Sequence, residues 1–265
     1  MKSLLGISAF IVGLICSSLA SGQEQNWLPP GSDTRPSKPI PEWVVGGELK
    51  GDALIGRLLF HSPSLLGERA VRLRLSCASC HPSGHRNDRF FIPNVSPRPG
   101  FVDLTHQFWY KAGEDGIDNP KRIPSLHNSR SKKRFGTGPH FKSLEDFTRH
   151  VIIDEFGGPA PGPRMLTFIS SYMKKLTRPN SDGAAPLPRP TPYINYVDLF
   201  GHLPEARSFV ASLLLEEAGR RYRHEENPIY KDVAKELVRL RSGALTEANH
   251  QTALESLKKL SKQIP

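Results

Sequence analysis

Cys77-Ala78-Ser79-Cys80-His81 constrains this chain more than any other stretch. It reads C-x-x-C-H, the attachment signature of a c-type haem. Two thiols form thioethers with the vinyl groups, and the adjacent histidine lies under the iron as its proximal ligand. Cys77, Cys80 and His81 are therefore read as the cofactor-binding residues of one covalent haem c, with His81 as the metal ligand. Cys77, Cys80, His81 and His85 also offer zinc donors, but adjacent Cys80 and His81 make joint tetrahedral ligation hard. A C-x-x-C redox disulfide usually opens a helix within a βαβ unit, and no such pattern is visible.

The chain has three cysteines, and the third, Cys16, lies in an N-terminal stretch built like a secretory signal. Lys2 gives a positive start, Leu4 to Ile15 an apolar run, and Ala20-Ser21-Gly22 a small-residue exit. The run is shorter than the roughly 20 apolar residues a spanning helix needs. Residues 1–22 are thus expected to be removed, leaving a periplasmic or secreted protein with no membrane span. Export agrees with the haem signature, since c-type haem is attached outside the bacterial cytoplasm.

The formal net charge is +10. A basic surface points to an acidic redox protein partner or an anionic membrane face, or serves solubility alone. Nucleic acid does not suit an exported haem protein. The oligomeric state is left open by the sequence.

Composition divides the remainder. Residues 23–50 form a proline-rich arm. Residues 51–177 form the haem-binding domain, in which Leu54, Ile55, Leu58 and Leu59 mark one face of a helix. From His81 to Pro124 the chain is rich in Pro, Gly and Asn, with aromatic residues interspersed, and reads as a loop wrapped over one side of the haem. Ser143-Leu144-Glu145-Asp146 reads as a helix start. The helix is expected to bury Leu144, Phe147 and Val151 and to stop at Gly157-Gly158-Pro159. A second amphipathic helix is expected over 165–176. Residues 178–203 read as a proline-rich linker and 204–265 as a helical extension, charged on one side at Glu216-Glu217 and Arg220-Arg221. The expected class is mainly α: a c-type cytochrome domain with long irregular loops and a C-terminal helical extension.

Four segments occur in an order that carries a resemblance: Gly56-Arg57-Leu58-Leu59-Phe60, Leu75-Ser76-Cys77-Ala78-Ser79-Cys80-His81, Ile123-Pro124-Ser125-Leu126-His127-Asn128 and Ser143-Leu144-Glu145-Asp146. Over about residues 51–177 the chain resembles a haem domain of the bacterial di-haem cytochrome c peroxidase and MauG superfamily. Members carry G-[KR]-x-L-F, S-C-x-x-C-H, P-S-L-R-N and S-L-E-E. This chain departs in having a single haem motif and in carrying His127 where the family has arginine.

The resemblance implies a sixth-ligand position eight residues after Ser143, where relatives place Met or Tyr. Here that position is Val151, which has no lone pair for iron, and His150 lies beside it. Met165 and Met173 are the remaining thioether donors, and His106, His127 and His140 are further imidazoles. The sixth position is thus expected to be vacant or weakly held. The first reading is one-electron transfer through the single haem. The alternative is a peroxidase-type oxidoreductase with an open distal position and His150 or His85 as acid–base group. The Pro124 region is expected to offer a backbone carbonyl to the second nitrogen of His81.

Overall fold

The computed structural model describes residues 40–136, 140–242 and 245–265. Residues 1–39, which include the segment expected as a signal and the first part of the expected arm, lie outside these residues. Two crossing helices set the framework. Helix α1 (Gly51–His61) lays Leu54, Ile55, Leu58 and Leu59 into the core, as their spacing predicts. Helix α5 (Pro163–Lys175) starts on a proline at its first position, where the missing N–H costs nothing, and packs along α1. The approach is tight: a Cβ on Gly56 would stand 1.9 Å from the Phe168 carbonyl oxygen. Phe60 and Tyr172 meet edge to face beside it, with ring centroids 5.1 Å apart.

Arg57 is largely covered, its side chain 12 % exposed, and held by a fork. Its Nε and Nη2 donate to Glu42 at 3.0 and 2.9 Å, and its Nη1 donates to the Tyr196 hydroxyl at 2.5 Å. The Tyr172 hydroxyl donates to Glu42 at 2.7 Å. Burial alone would raise the Glu42 carboxyl, but the Arg57 guanidinium overrides it and holds the group down at about 2. The G-R-x-L-F segment thus supplies a close approach, a largely covered cation and apolar anchors.

The chain beyond 177 continues the same core. Strand β1 (Trp43–Val45) pairs antiparallel with β4 (Ala184–Pro186). Short helices α6 (Tyr193–Val197) and α7 (Leu199–His202) bury Tyr193, Tyr196, Val197, Leu199 and Phe200. The stretch expected as a linker is therefore a strand and two helices. Its prolines interrupt helices without releasing the chain from the core.

Three helices follow: α8 (Arg207–Glu225), α9 (Ile229–Arg241) and α10 (Glu247–Ser261). Contrary to expectation, the charges on α8 are not all on its solvent side. Glu217 and Arg221, one turn apart, are each 3 % exposed. Glu217 accepts from Arg220 Nε and Arg221 Nε, each at 2.8 Å. Arg221 also donates to the carbonyls of Thr191 and Pro265 and lies over the rings of Tyr193 and Tyr196. Charged side chains reach the interior here because every one is paired.

The protein is mainly helical, as expected. Between 81 and 143 the described chain is irregular, apart from single 3₁₀ turns and a short ladder of β2 (Phe101–Val102) with β3 (Lys121–Arg122). Among the described residues no helix is long and apolar enough to cross a membrane.

Candidate functional site

Helix α2 (Glu68–Leu73) ends at Arg74 in a left-handed conformation, φ 53°. Two residues later the C-x-x-C segment forms the one-turn helix α3 (Cys77–Cys80). Ser79 closes its first turn by accepting the Ser76 N–H at 3.0 Å. At positions i and i+3 the two cysteines lie on one side of the turn. They form no disulfide, and burial pushes both thiols up to about 12.

His81 follows the helix directly, with φ −124° and ψ 60°, and its Nδ1 lies 3.0 Å from the Pro124 carbonyl oxygen. The carbonyl fixes the tautomer with the proton on Nδ1, which leaves Nε2 as the atom with a lone pair. Burial lowers the imidazole to about 4, so it is neutral at pH 7, as a metal ligand must be. The donor set fits a covalent haem: two free thiols one turn apart and a neutral imidazole held by a main-chain carbonyl.

The surroundings hold this unit by hydrogen bonds to main-chain carbonyls. Asn87 ties back to it twice, its N–H donating to Cys80 O at 3.1 Å and its Nδ2 to Ser79 O at 2.9 Å. Leu126 N–H donates to Gly84 O at 2.9 Å. Asn128 N–H and the Ser129 hydroxyl donate to the Leu176 and Met173 carbonyls at 3.0 and 2.7 Å. Residues 123–129 thus form a brace from the histidine to α5. Gly84, at φ +77°, is required there, since a Cβ would meet Leu176 and His127 at about 3 Å.

His127, within this brace, meets His85 edge to face, with ring centroids 4.2 Å apart. His127 is buried, with Nε2 3.2 Å from Ser83 O. The pair lines a groove of about 870 Å³ whose walls also hold Arg86, Ser125 and Arg178. Burial lowers both imidazoles.

His150 is elsewhere. Helix α4 (Leu144–His150) starts as expected, with the Ser143 hydroxyl accepting the Asp146 N–H at 3.1 Å. It then widens into a π turn, Val151–Glu155. The buried stripe is Leu144, Thr148 and Ile152, rather than Leu144, Phe147 and Val151. Thr148 enters it by donating its hydroxyl to Leu144 O at 2.7 Å. Val151 is half-buried, on the side that carries Phe147 and His150.

The His150 ring lies against Phe141, centroids 4.9 Å apart. Its Nδ1 is 2.8 Å from Asp154 Oδ2, and its Nε2 is 3.7 Å from Glu155 Oε1. Burial pushes the Glu155 carboxyl up to about 7, Asp154 adds to the rise, and His150 opposes it. Its Oε2 is buried without a hydrogen-bond partner. The two imidazoles expected as acid–base groups, His150 and His85, therefore keep separate company. The sequence reading missed Asp154 and Glu155. Their signal was two acids at a helix C-terminus, where the macrodipole disfavours them.

Met173 is buried in the core of α5, and Met165 is half-buried in its first turn. Trp109 walls the interior, its Nε1 donating to Asp103 O at 2.6 Å and its ring against Phe108 and Phe156. Comparison with known proteins adds no neighbour: no family model, curated protein or solved structure matches the chain.

Proposed function

We propose that this protein is an exported mono-haem c-type cytochrome that transfers single electrons, with haem c attached through Cys77 and Cys80 and His81 as proximal ligand. The observation that carries the reading is the His81 Nδ1–Pro124 carbonyl contact of 3.0 Å, directly after a one-turn C-x-x-C helix. Bound there, the haem supplies a reversible ferrous–ferric couple. The chain's part is to orient the ligand nitrogen, keep the imidazole neutral and surround the site with apolar side chains. The order of four motifs supports kinship with the di-haem peroxidase superfamily.

The test is chemical. Denatured, acid-extracted protein should retain about one haem per chain by its pyridine haemochrome. Cys77→Ser with Cys80→Ser should abolish retention, and His81→Ala should lose the normal visible spectrum. Free release of haem from the wild type would sink the proposal.

The His150–Asp154–Glu155 group favours a second reading, a peroxidase-type oxidoreductase. A carboxyl protonated up to about pH 7 beside an imidazole oriented by a second carboxylate is an acid–base pair suited to peroxide cleavage. A ferric high-spin protein that binds cyanide supports this reading. A six-coordinate low-spin protein that refuses cyanide leaves electron transfer alone.

A further inference from the structure

The groove beside His85 and His127 has no part in the function proposed above. Its volume of about 870 Å³ falls within the range of small-ligand sites. Three stretches far apart in sequence, 85–88, 125–128 and 178–181, supply most of its walls. They are tied to one another. Leu126 N–H donates to Gly84 O at 2.9 Å, Asn128 N–H donates to Leu176 O at 3.0 Å, and the Thr177 hydroxyl donates to Asn128 Oδ1 at 2.8 Å.

The chemistry of the walls is one-sided. Arg86 and Arg178 are exposed, and among the described residues neither has a carboxylate partner. Asp88 is the one acid on the walls, and Arg122 pairs with it at 3.0 Å. Two further cations act on the imidazole pair: Arg189 on His85 and Lys132 on His127. The imidazoles themselves are only half satisfied. Ser83 O lies 3.2 Å from His127 Nε2, which places the proton there and leaves Nδ1 as the acceptor atom. The Pro41 carbonyl accepts from His85, whose Nε2 is buried without a partner. An unbonded buried polar atom is costly, and beside two unpaired guanidinium groups an anion's oxygen is the partner that suits them all.

We propose that this groove binds a phosphate-type oxyanion, held by Arg86 and Arg178 with His85, Asn180 and Ser181 as further donors. The inference does not depend on the haem reading, because no residue of the C-x-x-C-H segment lines the groove. Planar guanidinium groups match phosphate oxygens two at a time, and amide and hydroxyl groups supply the remaining donors. His85 donates from Nε2 only in its charged form, so binding takes up a proton. Burial, then Arg189, hold that ring below its ordinary value, and a bound anion opposes the shift.

The experiment is isothermal titration calorimetry of the purified full-length protein with pyrophosphate, and saturable binding is expected. Arg86→Ala with Arg178→Ala should weaken it at least tenfold. Arg241→Ala with Lys259→Ala removes the same charge from α9 and α10 and should change it less than twofold. Equal weakening in both double variants would assign the effect to net charge and overturn the site. Citrate bound as tightly as pyrophosphate would overturn the phosphate class. Sedimentation with phosphatidylglycerol vesicles, lost in the Arg86→Ala, Arg178→Ala variant and without pyrophosphate binding, would give the same phosphate chemistry a lipid source. Binding of neither probe overturns the proposal. Sulfate keeps its charge between about pH 6 and 8 and so isolates the protein's proton. It should bind more tightly at the acid end, and His85→Gln should flatten that dependence. An unchanged dependence in His85→Gln would overturn the part assigned to His85.

Discussion

Two regions of this molecule use charge in opposite ways. In the scaffold of α1, α5 and α8, Glu42, Glu217 and Arg221 are buried and paired, and Arg57 is largely covered beside Glu42. Around the C-x-x-C-H motif, cations stay on the surface and, among the described residues, few have a carboxylate partner. The scaffold's order comes from side chains that cannot leave their partners without a large desolvation cost. The motif region's order comes from hydrogen bonds to main-chain carbonyls, made by Asn87, Leu126 and His81, and these engage none of its surface cations.

The contrast can be broken by mutation. The largest expected effect is Glu217→Ala, which leaves Arg220 and Arg221 without their buried carboxylate. It should cost about 3–5 kcal/mol in urea unfolding. A loss under about 1 kcal/mol would mean that the scaffold does not depend on its buried charges.

Glu155, a half-buried carboxylate outside both groups, sharpens the comparison. Its folded pKa of about 7 lies above the ordinary carboxylate value, so the folded state holds its proton more tightly. Stability from this group is full below about pH 4.5 and is lost as pH rises through 7. Glu155→Gln should therefore gain about 2 kcal/mol on the wild type at pH 8 and little at pH 4.5. Thermal unfolding at both pH values checks this, and a gain confined to acid pH would reverse the sign.

The smallest effect belongs to Arg89→Ala. An exposed cation without a carboxylate partner should change stability by less than about 0.5 kcal/mol. A loss rivalling that of Glu217→Ala would erase the distinction between the regions.

What the sequence disclosed, and what it hid, follows from the range of the interactions. The face of α1, the Ser143 cap and the carbonyl at Pro124 were legible because each is a local pattern or a short motif. The β1–β4 pairing was not, since its strands lie far apart in sequence and Ala184-Ala185-Pro186 carries no strand signal. Arg221 reads as a surface residue until its partners, Glu217 and the Thr191 and Pro265 carbonyls, are known. Val151 was misplaced because helical spacing from Leu144 allows either Phe147 and Val151 or Thr148 and Ile152 to face inward, and the apolar Phe147 drew the stripe to the wrong side. Helical spacing also misses Thr148, a polar residue that enters the stripe by bonding its own helix.

The strapping of α3 also sets a timetable. In the folded chain the two thiols are partly covered and are held protonated, with the loops at 84–87 and 123–129 tied across the motif. A thiol that must reach a vinyl group is a poor reactant in that state, because the thiolate is the nucleophile. On the proposed reading, biogenesis runs in one direction: the maturation machinery modifies Cys77 and Cys80 on an extended chain, and only then do the straps close. A chain that folds before it is modified has left the assembly line too early.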